Sequence, residues 1–159
     1  MTKHKRSYRD KLNDDKGYPK VERLTGAMQK RYGDGTIVIP APSEIAGLMA
    51  KIRKGKLITV TELREHLAQR HGVTMTCPIV TGILTRVVAC AAGEDEDEGK
   101  VRVLPYWRTL KPRGELNEKY PGGVAQQRAR LEAEGHTVVT RGKRAIVVDY
   151  ETALARLQD

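Results

Sequence analysis

Three apolar stripes at helical spacing between Ser43 and Ala92, the last two separated by a tight connection, constrain this chain more than any other feature. Ser43 can cap a first helix carrying Ile45, Leu48, Met49 and Ile52, the i, i+3, i+4, i+7 pattern of one buried face. Arg53, Lys54, Gly55 and Lys56 end it with cations and a glycine, where the helix dipole and a left-handed cap favour them. Thr59-Val60-Thr61-Glu62 fits a capping box and opens a second helix that runs to about Arg70, buries Leu63 and Leu67 and stops at Gly72. A third helix is expected from about Pro78 to Ala92. Proline suits its first turn, where a missing N–H costs nothing. Its buried stripe reads as Ile79, Val80, Ile83, Leu84, Val87 and Val88, leaving Thr81, Thr85 and Arg86 on other faces.

The flanks read as short strands and turns. Thr36-Ile37-Val38-Ile39 is an extended run stopped by Pro40 and Pro42, and Leu57-Ile58 is a second. Val101-Arg102-Val103-Leu104 leads into Pro105-Tyr106-Trp107-Arg108, and Pro112-Arg113-Gly114 supplies turn chemistry. A helix opens at Gly122-Gly123 and ends at Gly135. Residues 136–149 then read as a hairpin, His136 to Val139 and Ala145 to Val148 about a turn at Arg141-Gly142-Lys143. Three helices followed by strands and a turn form the pattern of a winged helix-turn-helix. The expected fold is therefore mainly α with small β, a winged helix-turn-helix domain with an extra C-terminal β-hairpin. Residues 1–35 read as a basic, largely disordered arm, 36–135 as the domain and 136–159 as the hairpin extension. The acidic run Glu94-Asp95-Glu96-Asp97-Glu98 reads as a solvated loop that points away from nucleic acid, since adjacent carboxylates repel one another and phosphates alike.

The chain's 159 residues suit one domain plus a tail. Phe is absent and Trp107 is the one indole, so the core must come from Leu, Ile, Val, Ala and a few Tyr. The net charge of +9 favours an anionic partner, and it is uneven. Residues 1–33 hold ten Lys/Arg against four Asp/Glu, a balance of 10 − 4 = +6, leaving +3 for the rest. That arm reads equally as a DNA contact or as a solubilising tail. No apolar run approaches the roughly 20 residues that span a bilayer, which predicts a soluble, cytoplasmic protein with no membrane partner. Cys77 and Cys90 make no disulfide framework, and His66 and His71 lie five apart rather than four, so no metal is expected. Neither a Gly-x-x-x-x-Gly-Lys phosphate loop nor a Gly-x-Ser-x-Gly elbow occurs, and neither a cofactor nor a small-molecule substrate is expected.

The stretch from Pro105-Tyr106-Trp107-Arg108-Thr109 through Tyr120-Pro121-Gly122-Gly123 to Leu131, Glu134 and Gly135 resembles the DNA-binding half of the O6-alkylguanine-DNA alkyltransferases and their alkyltransferase-like relatives. Lys56-Leu57-Ile58-Thr59 is similar to that family's entry into its second helix, and the resemblance spans roughly residues 42–135. The active enzymes carry Pro-Cys-His-Arg where this chain has Pro105-Tyr106-Trp107-Arg108, so Tyr106 replaces the alkyl acceptor and Trp107 the activating histidine. Glu134 matches the glutamate that orients that histidine. A phenol with an ordinary pKa of ~10 is mostly neutral at pH 7 and is no substitute for a thiolate. The resemblance implies a non-catalytic DNA-binding protein that recognises alkylated guanine in DNA repair, and not an enzyme. It implies a lesion pocket of Tyr106, Trp107, Arg108 and Glu134, whose rings either offer a flat wall to a flipped base or fill the interior of a chain that has no Phe. DNA contacts are expected from Thr59, Thr81, Thr85, Arg86, Arg113 and the Gly122-Gly123 helix start, the last also explicable as a tight turn. Two departures count against base flipping. Val60 stands where the family has a phosphate-rotating tyrosine, and Cys77-Pro78-Ile79 where it has an intercalating arginine. The rival reading is a protein-interaction module on the same scaffold, with the hairpin or the acidic run as the partner's contact; a third is residual alkyl transfer through Cys77 or Cys90.

Overall fold

The computed structural model describes residues 6–159. Lys3 and Lys5, counted above in the basic arm, lie outside the described residues. Among the described residues the chain forms six α-helices and seven short strands. In order they are α1 (Tyr8–Leu12), β1 (Lys20–Arg23), α2 (Gly26–Tyr32), β2 (Thr36–Ile39), α3 (Pro42–Ala50), β3 (Ile58–Thr59), α4 (Val60–His71), β4 (Met75–Thr76), α5 (Pro78–Asp97), β5 (Thr109–Leu110), α6 (Gly123–Ala133), β6 (Val138–Arg141) and β7 (Arg144–Val147). Short 3₁₀ turns occupy Tyr106–Arg108, Pro112–Gly114 and Tyr150–Ala153.

The strands tie the helices together. β1 pairs antiparallel with β2, Val21 opposite Val38. β2 pairs parallel with β4, Val38 opposite Thr76, and a parallel pair needs the long crossover that α3 and α4 supply. β3 and β5 make a second parallel pair, Ile58 opposite Thr109. This pair fixes the 3₁₀ turn at Tyr106–Arg108 beside the start of α4.

α3 begins two residues earlier than expected. Ala41 is its N-cap, Pro42 fills the first turn, and the Glu44 carboxylate accepts the Ala41 N–H at 3.2 Å. Ser43 is no cap; its N–H and hydroxyl both donate to Asp15. The expected stripe is otherwise correct, with Ile45, Leu48, Met49 and Ile52 all buried. At α4 the capping box forms: Thr59 Oγ1 accepts the Thr61 N–H at 3.2 Å and Glu62 accepts the Thr59 N–H at 3.0 Å. Gly72 closes that helix at φ 62°, a left-handed cap that glycine takes without Cβ strain.

α5 corrects the expected stripe at two of its six positions: Val87 and Val88 are buried and Val80 and Leu84 pack half-buried against the core, but Ile79 and Ile83 do not. Ile79 is 68% exposed and Ile83 56%, while Thr81, Thr85, Val88, Ala89 and Ala92 form the buried face. The helix is apolar nearly all round at its start, so periodicity admits two faces. Burial selects the one built of small residues, because it lets α3 pack close.

α5 also continues through Glu94–Asp97, so the acidic run is a helical end, not a loop. Carboxylates at a helix C-terminus oppose the macrodipole, and cations from elsewhere offset this. Arg9 of α1 lies 3.7 Å from Glu94, 3.5 Å from Asp95 and 2.5 Å from Glu98. Lys100 pairs with Asp95 at 3.0 Å and Arg130 of α6 with Glu96 at 2.5 Å.

Those contacts correct the reading of a largely disordered basic arm for residues 6–35, residues 1–5 lying outside the described residues. From Ser7 onward the segment folds onto the body: Glu94 accepts the Tyr8 and Arg9 N–H groups at 3.2 and 2.9 Å, Leu12 packs against the main core, and β1 joins a sheet. Leu24 is buried with Ile37 and Cys77. The C-terminal extension is equally integrated, since Val138 and Val147 share a core with Leu57, Leu110, Leu116 and Leu131.

Candidate functional site

The segment 106–108 is held by side chains, not open to them. Tyr106 is 0% exposed, its ring edge-on to Trp107 (5.4 Å between centroids, 81°) and to Tyr120 (5.6 Å, 90°). Of the two readings of Tyr106, wall or core, burial favours the second: this is an interior ring, filling volume that a chain without Phe must fill some other way. Its hydroxyl is buried with no hydrogen-bond partner among the described residues. Burial pushes that phenol above its ordinary pKa.

Trp107 is half-buried, with the Arg130 guanidinium 4.4 Å from its ring centroid and its indole N–H donating to Glu134 at 3.2 Å. Arg108 grips the same carboxylate, Nη2 to Oε2 at 2.6 Å and Nε to Oε1 at 2.9 Å, and spends a third N–H on the Ile52 carbonyl at 2.7 Å. Burial works to raise the Glu134 carboxyl, but the Arg108 and Trp107 hydrogen bonds and the Arg108 charge prevail and hold it below the usual carboxylate range. Tyr106, Trp107, Arg108 and Glu134 are thus brought together as expected. They form a clamp joining the 3₁₀ turn, the end of α6 and the segment after α3, and Trp107 and Glu134 line a shallow depression with Lys54, Arg130 and Ala133.

A basic concavity with an apolar floor lies elsewhere. A cleft of about 560 Å³ opens between the start of α5, the first turns of α4 and residues 111–119, with Tyr8 and Lys11 of α1 at its edge. Its apolar floor is Val60, Pro78, Ile79, Ile83 and Val87, and its polar lining holds five cations, Lys11, Arg64, Arg86, Lys111 and Lys119, against the single carboxylate Glu118. Lys111 is partly answered by Glu118 at 3.4 Å and Glu115 at 3.7 Å. Arg64 Nε is buried without a partner among the described residues.

Of the expected DNA contacts, Arg86 is exposed on this cleft and Thr85 lines it. The threonines are corrected as contacts. Thr59, Thr81 and Thr85 are each 1% exposed; Thr59 is used by the α4 cap, Thr81 donates to the Cys77 carbonyl at 2.7 Å and Thr85 to the Gly82 carbonyl at 2.9 Å. Arg113 is exposed and sits at φ 67°, a left-handed position costly for a side-chain residue. Neither Gly122 nor Gly123 lines the cleft, and Gly122 lies in a depression shared with Glu94, Glu96 and Asp97 that repels phosphate. Their φ values of 77° and 66°, and Gln126 packed where a Cβ on Gly122 would stand, explain both glycines as a turn.

Sequence reasoning missed Arg64, Lys111 and Lys119, which no shared motif marks, and had Lys11 only as one cation of the basic arm; only the fold converges them. Ile79 and Ile83 were assigned to the core for want of a tertiary face. Cys77 is buried and Cys90 half-buried, both free, and burial raises the Cys90 thiol above its ordinary pKa. Among the described residues no cluster of His, Cys, Asp and Glu has metal-binding geometry, and no helix is long and apolar enough to cross a membrane.

No known family profile matches the chain, and no curated protein does. Two solved structures are similar to it. One is S. pombe Atl1 in complex with damaged DNA containing O6-carboxymethylguanine, with a TM-score of 0.50 and 16% identity over 73% of this chain and 94% of that one. Another is S. pombe ATL in complex with DNA, with a TM-score of 0.46 and 17% identity over the same shares. At 16% identity, the likeness to Atl1 is one of fold.

Proposed function

We propose that this protein binds duplex DNA through the α4–α5 cleft, as a non-catalytic member of the alkyltransferase-like type that recognises alkylated guanine. The observation that carries the reading is the cleft itself, five cations around an apolar floor with one opposing carboxylate. Cations supply the sequence-independent grip on phosphates. In this reading α4 and α5 are the helix-turn-helix pair and residues 111–119 the wing. The fold shared with Atl1, itself seen with damaged DNA, supports DNA as the partner.

The altered base is read on the apolar floor, since the Tyr106 ring is enclosed. A volume of about 560 Å³ accommodates a purine with its substituent. Two features support the absence of alkyl transfer. Tyr106 is buried and neutral, and the half-buried Cys90 thiol is held protonated by the same desolvation.

Salt-titrated binding of plain and O6-methylguanine duplexes tests both parts, together with the intact mass of the protein afterwards. Expected are binding to both duplexes, a preference for the lesion and no added methyl. A stoichiometric methyl gain abolished by Cys90→Ser or Cys77→Ser would refute the non-catalytic part. One observation favours a second reading: Ile79 and Ile83 expose an apolar pair on the same cleft, a surface suited to a protein partner. Absence of duplex binding at about 50 mM salt, where phosphate contacts are strong, would decide for it.

A further inference from the structure

The β6–β7 hairpin carries charge at its tip that the folded protein leaves unanswered. Its register runs from Val138 opposite Val147 to Arg141 opposite Arg144, with Gly142 and Lys143 as the two-residue connection. Gly142 takes φ 62° at the first connecting position, as tight hairpins favour. The Val138–Val147 pair faces the core. Side chains alternate along a strand, so Arg141 and Arg144, three residues further along their strands, project from the opposite face. Residues 140–144 are all exposed.

Arg141 and Arg144 form a directly opposed like-charge pair, an arrangement that disfavours the hairpin in isolation. Lys143 adds a third cation between them. None of the three makes a salt bridge among the described residues, whereas many other cations of this chain do. The charge is not scattered surface decoration either, because the hairpin is anchored to the segment that lines the cleft. Glu115 bridges to Ile146, and the Leu116 N–H donates to the Ala145 carbonyl at 2.9 Å. Lys111 and Lys119, at either end of that segment, line the cleft, and Arg113 stands exposed between them. The tip lies only two residues past the Ala145 contact, about 7 Å of strand.

We propose that Arg141, Lys143 and Arg144 form a second phosphate-binding element, which grips the backbone of the same duplex beside the cleft. This rests on the DNA-binding reading above and adds a contact surface to it. Phosphates lying between the tip and Arg113 offset the Arg141–Arg144 repulsion, so the pair is stabilised by the ligand.

The experiment is anisotropy titration of a fluorescent undamaged duplex against salt, for the full chain and for the triple variant Arg141→Gln, Lys143→Gln, Arg144→Gln. Each lost phosphate contact takes about 0.9 from the slope of log K against log salt, so the variant's slope should flatten by up to about 2.7. The Arg→Lys variant at 141 and 144, which keeps charge, should retain the wild-type slope. All substituted positions are solvent-exposed, and circular dichroism confirms folding. A triple variant with wild-type slope and affinity overturns the hairpin proposal and leaves the cleft reading standing. A wild-type protein that binds no duplex overturns both. Anionic vesicles serve as the counter-probe. If the triple variant loses vesicle binding but keeps its duplex slope, the hairpin is a membrane contact and the proposal fails.

Discussion

Arg108 and Glu134 form a bidentate ion pair with only 13% and 9% of their side-chain surfaces exposed, and the Ile52 carbonyl accepts a further Arg108 N–H. Glu134 also accepts the Trp107 N–H, so one carboxylate fixes two consecutive residues of the 3₁₀ turn. Removing one partner strands a buried charge, which costs about 3–5 kcal/mol. Glu134→Gln should therefore lower the urea midpoint strongly. Glu134 titrates below its unfolded value, so the pair's stabilisation is complete above about pH 4.3 and lost as pH falls through the lower folded value. His136 acts in the same direction at higher pH, because burial lowers its pKa and the unfolded chain takes the proton first. Urea midpoints between about pH 7 and 3 should fall on acidification. In Glu134→Gln the fall below about pH 4.3 should be smaller, though not absent, because Asp14, Glu98, Glu118 and Asp159 are also held below their ordinary range; an unchanged fall refutes the assignment.

Tyr106 presents opposite expectations for two substitutions. Its hydroxyl has no partner among the described residues, and an unsatisfied buried polar group costs about 1–3 kcal/mol. Tyr106→Phe should consequently be neutral or stabilising. Tyr106→Ala removes a ring packed edge-on against Trp107 and Tyr120 and should cost about 3–5 kcal/mol. Thermal unfolding distinguishes them, and a destabilised Tyr106→Phe would reveal a bonded hydroxyl.

Arg9 answers Glu94, Asp95 and Glu98 at the end of α5. Arg9→Ala should let the last turn of that helix fray, since Glu94 and Glu98 then lose their cation and face the negative end of the dipole. Hydrogen exchange should quicken at the amides of residues 94–98 and remain slow at those of Thr85–Ala92. Unchanged exchange at 94–98 would mean that Lys100 and Arg130 suffice.

Local chemistry made much of this fold legible. The α4 capping box, the Gly72 stop, the α3 stripe and the hairpin were each written in adjacent residues, and each forms. What failed depended on partners distant in sequence. Nothing near Glu94–Glu98 shows that Arg9 and Arg130 will neutralise it, so helix read as loop. The same pairing turned a presumed free arm into α1. At α5 two apolar faces competed, and the choice of Thr81, Thr85, Ala89 and Ala92 was made by how closely α3 packs. The motif at 105–108 identified residues that do come together, but not that Arg108 and Trp107 would occupy Glu134. The cleft's cations come from four separate stretches, which is why no window of sequence contained them.

The cleft floor predicts how binding should respond to the size of the alkyl group. If the substituent rests on Val60, Pro78, Ile79 and Ile83, each buried methylene contributes about 0.8 kcal/mol, or roughly fourfold in affinity. An O6-methyl group should then be preferred over plain guanine by about fourfold, and longer chains by successive similar factors until the floor is covered. Ile83→Ser should compress that series towards unity. It should do so without unfolding the protein, because Ile83 is 56% exposed. Lys119→Gln should instead weaken every duplex equally and flatten the salt slope by about 0.9, since a phosphate contact carries no information about the base. Competition titrations with O6-methyl, ethyl and butyl guanine duplexes separate the two effects. Affinity independent of chain length, or an Ile83→Ser variant with the wild-type series, would remove the floor from lesion reading and leave the cleft a site for backbone alone.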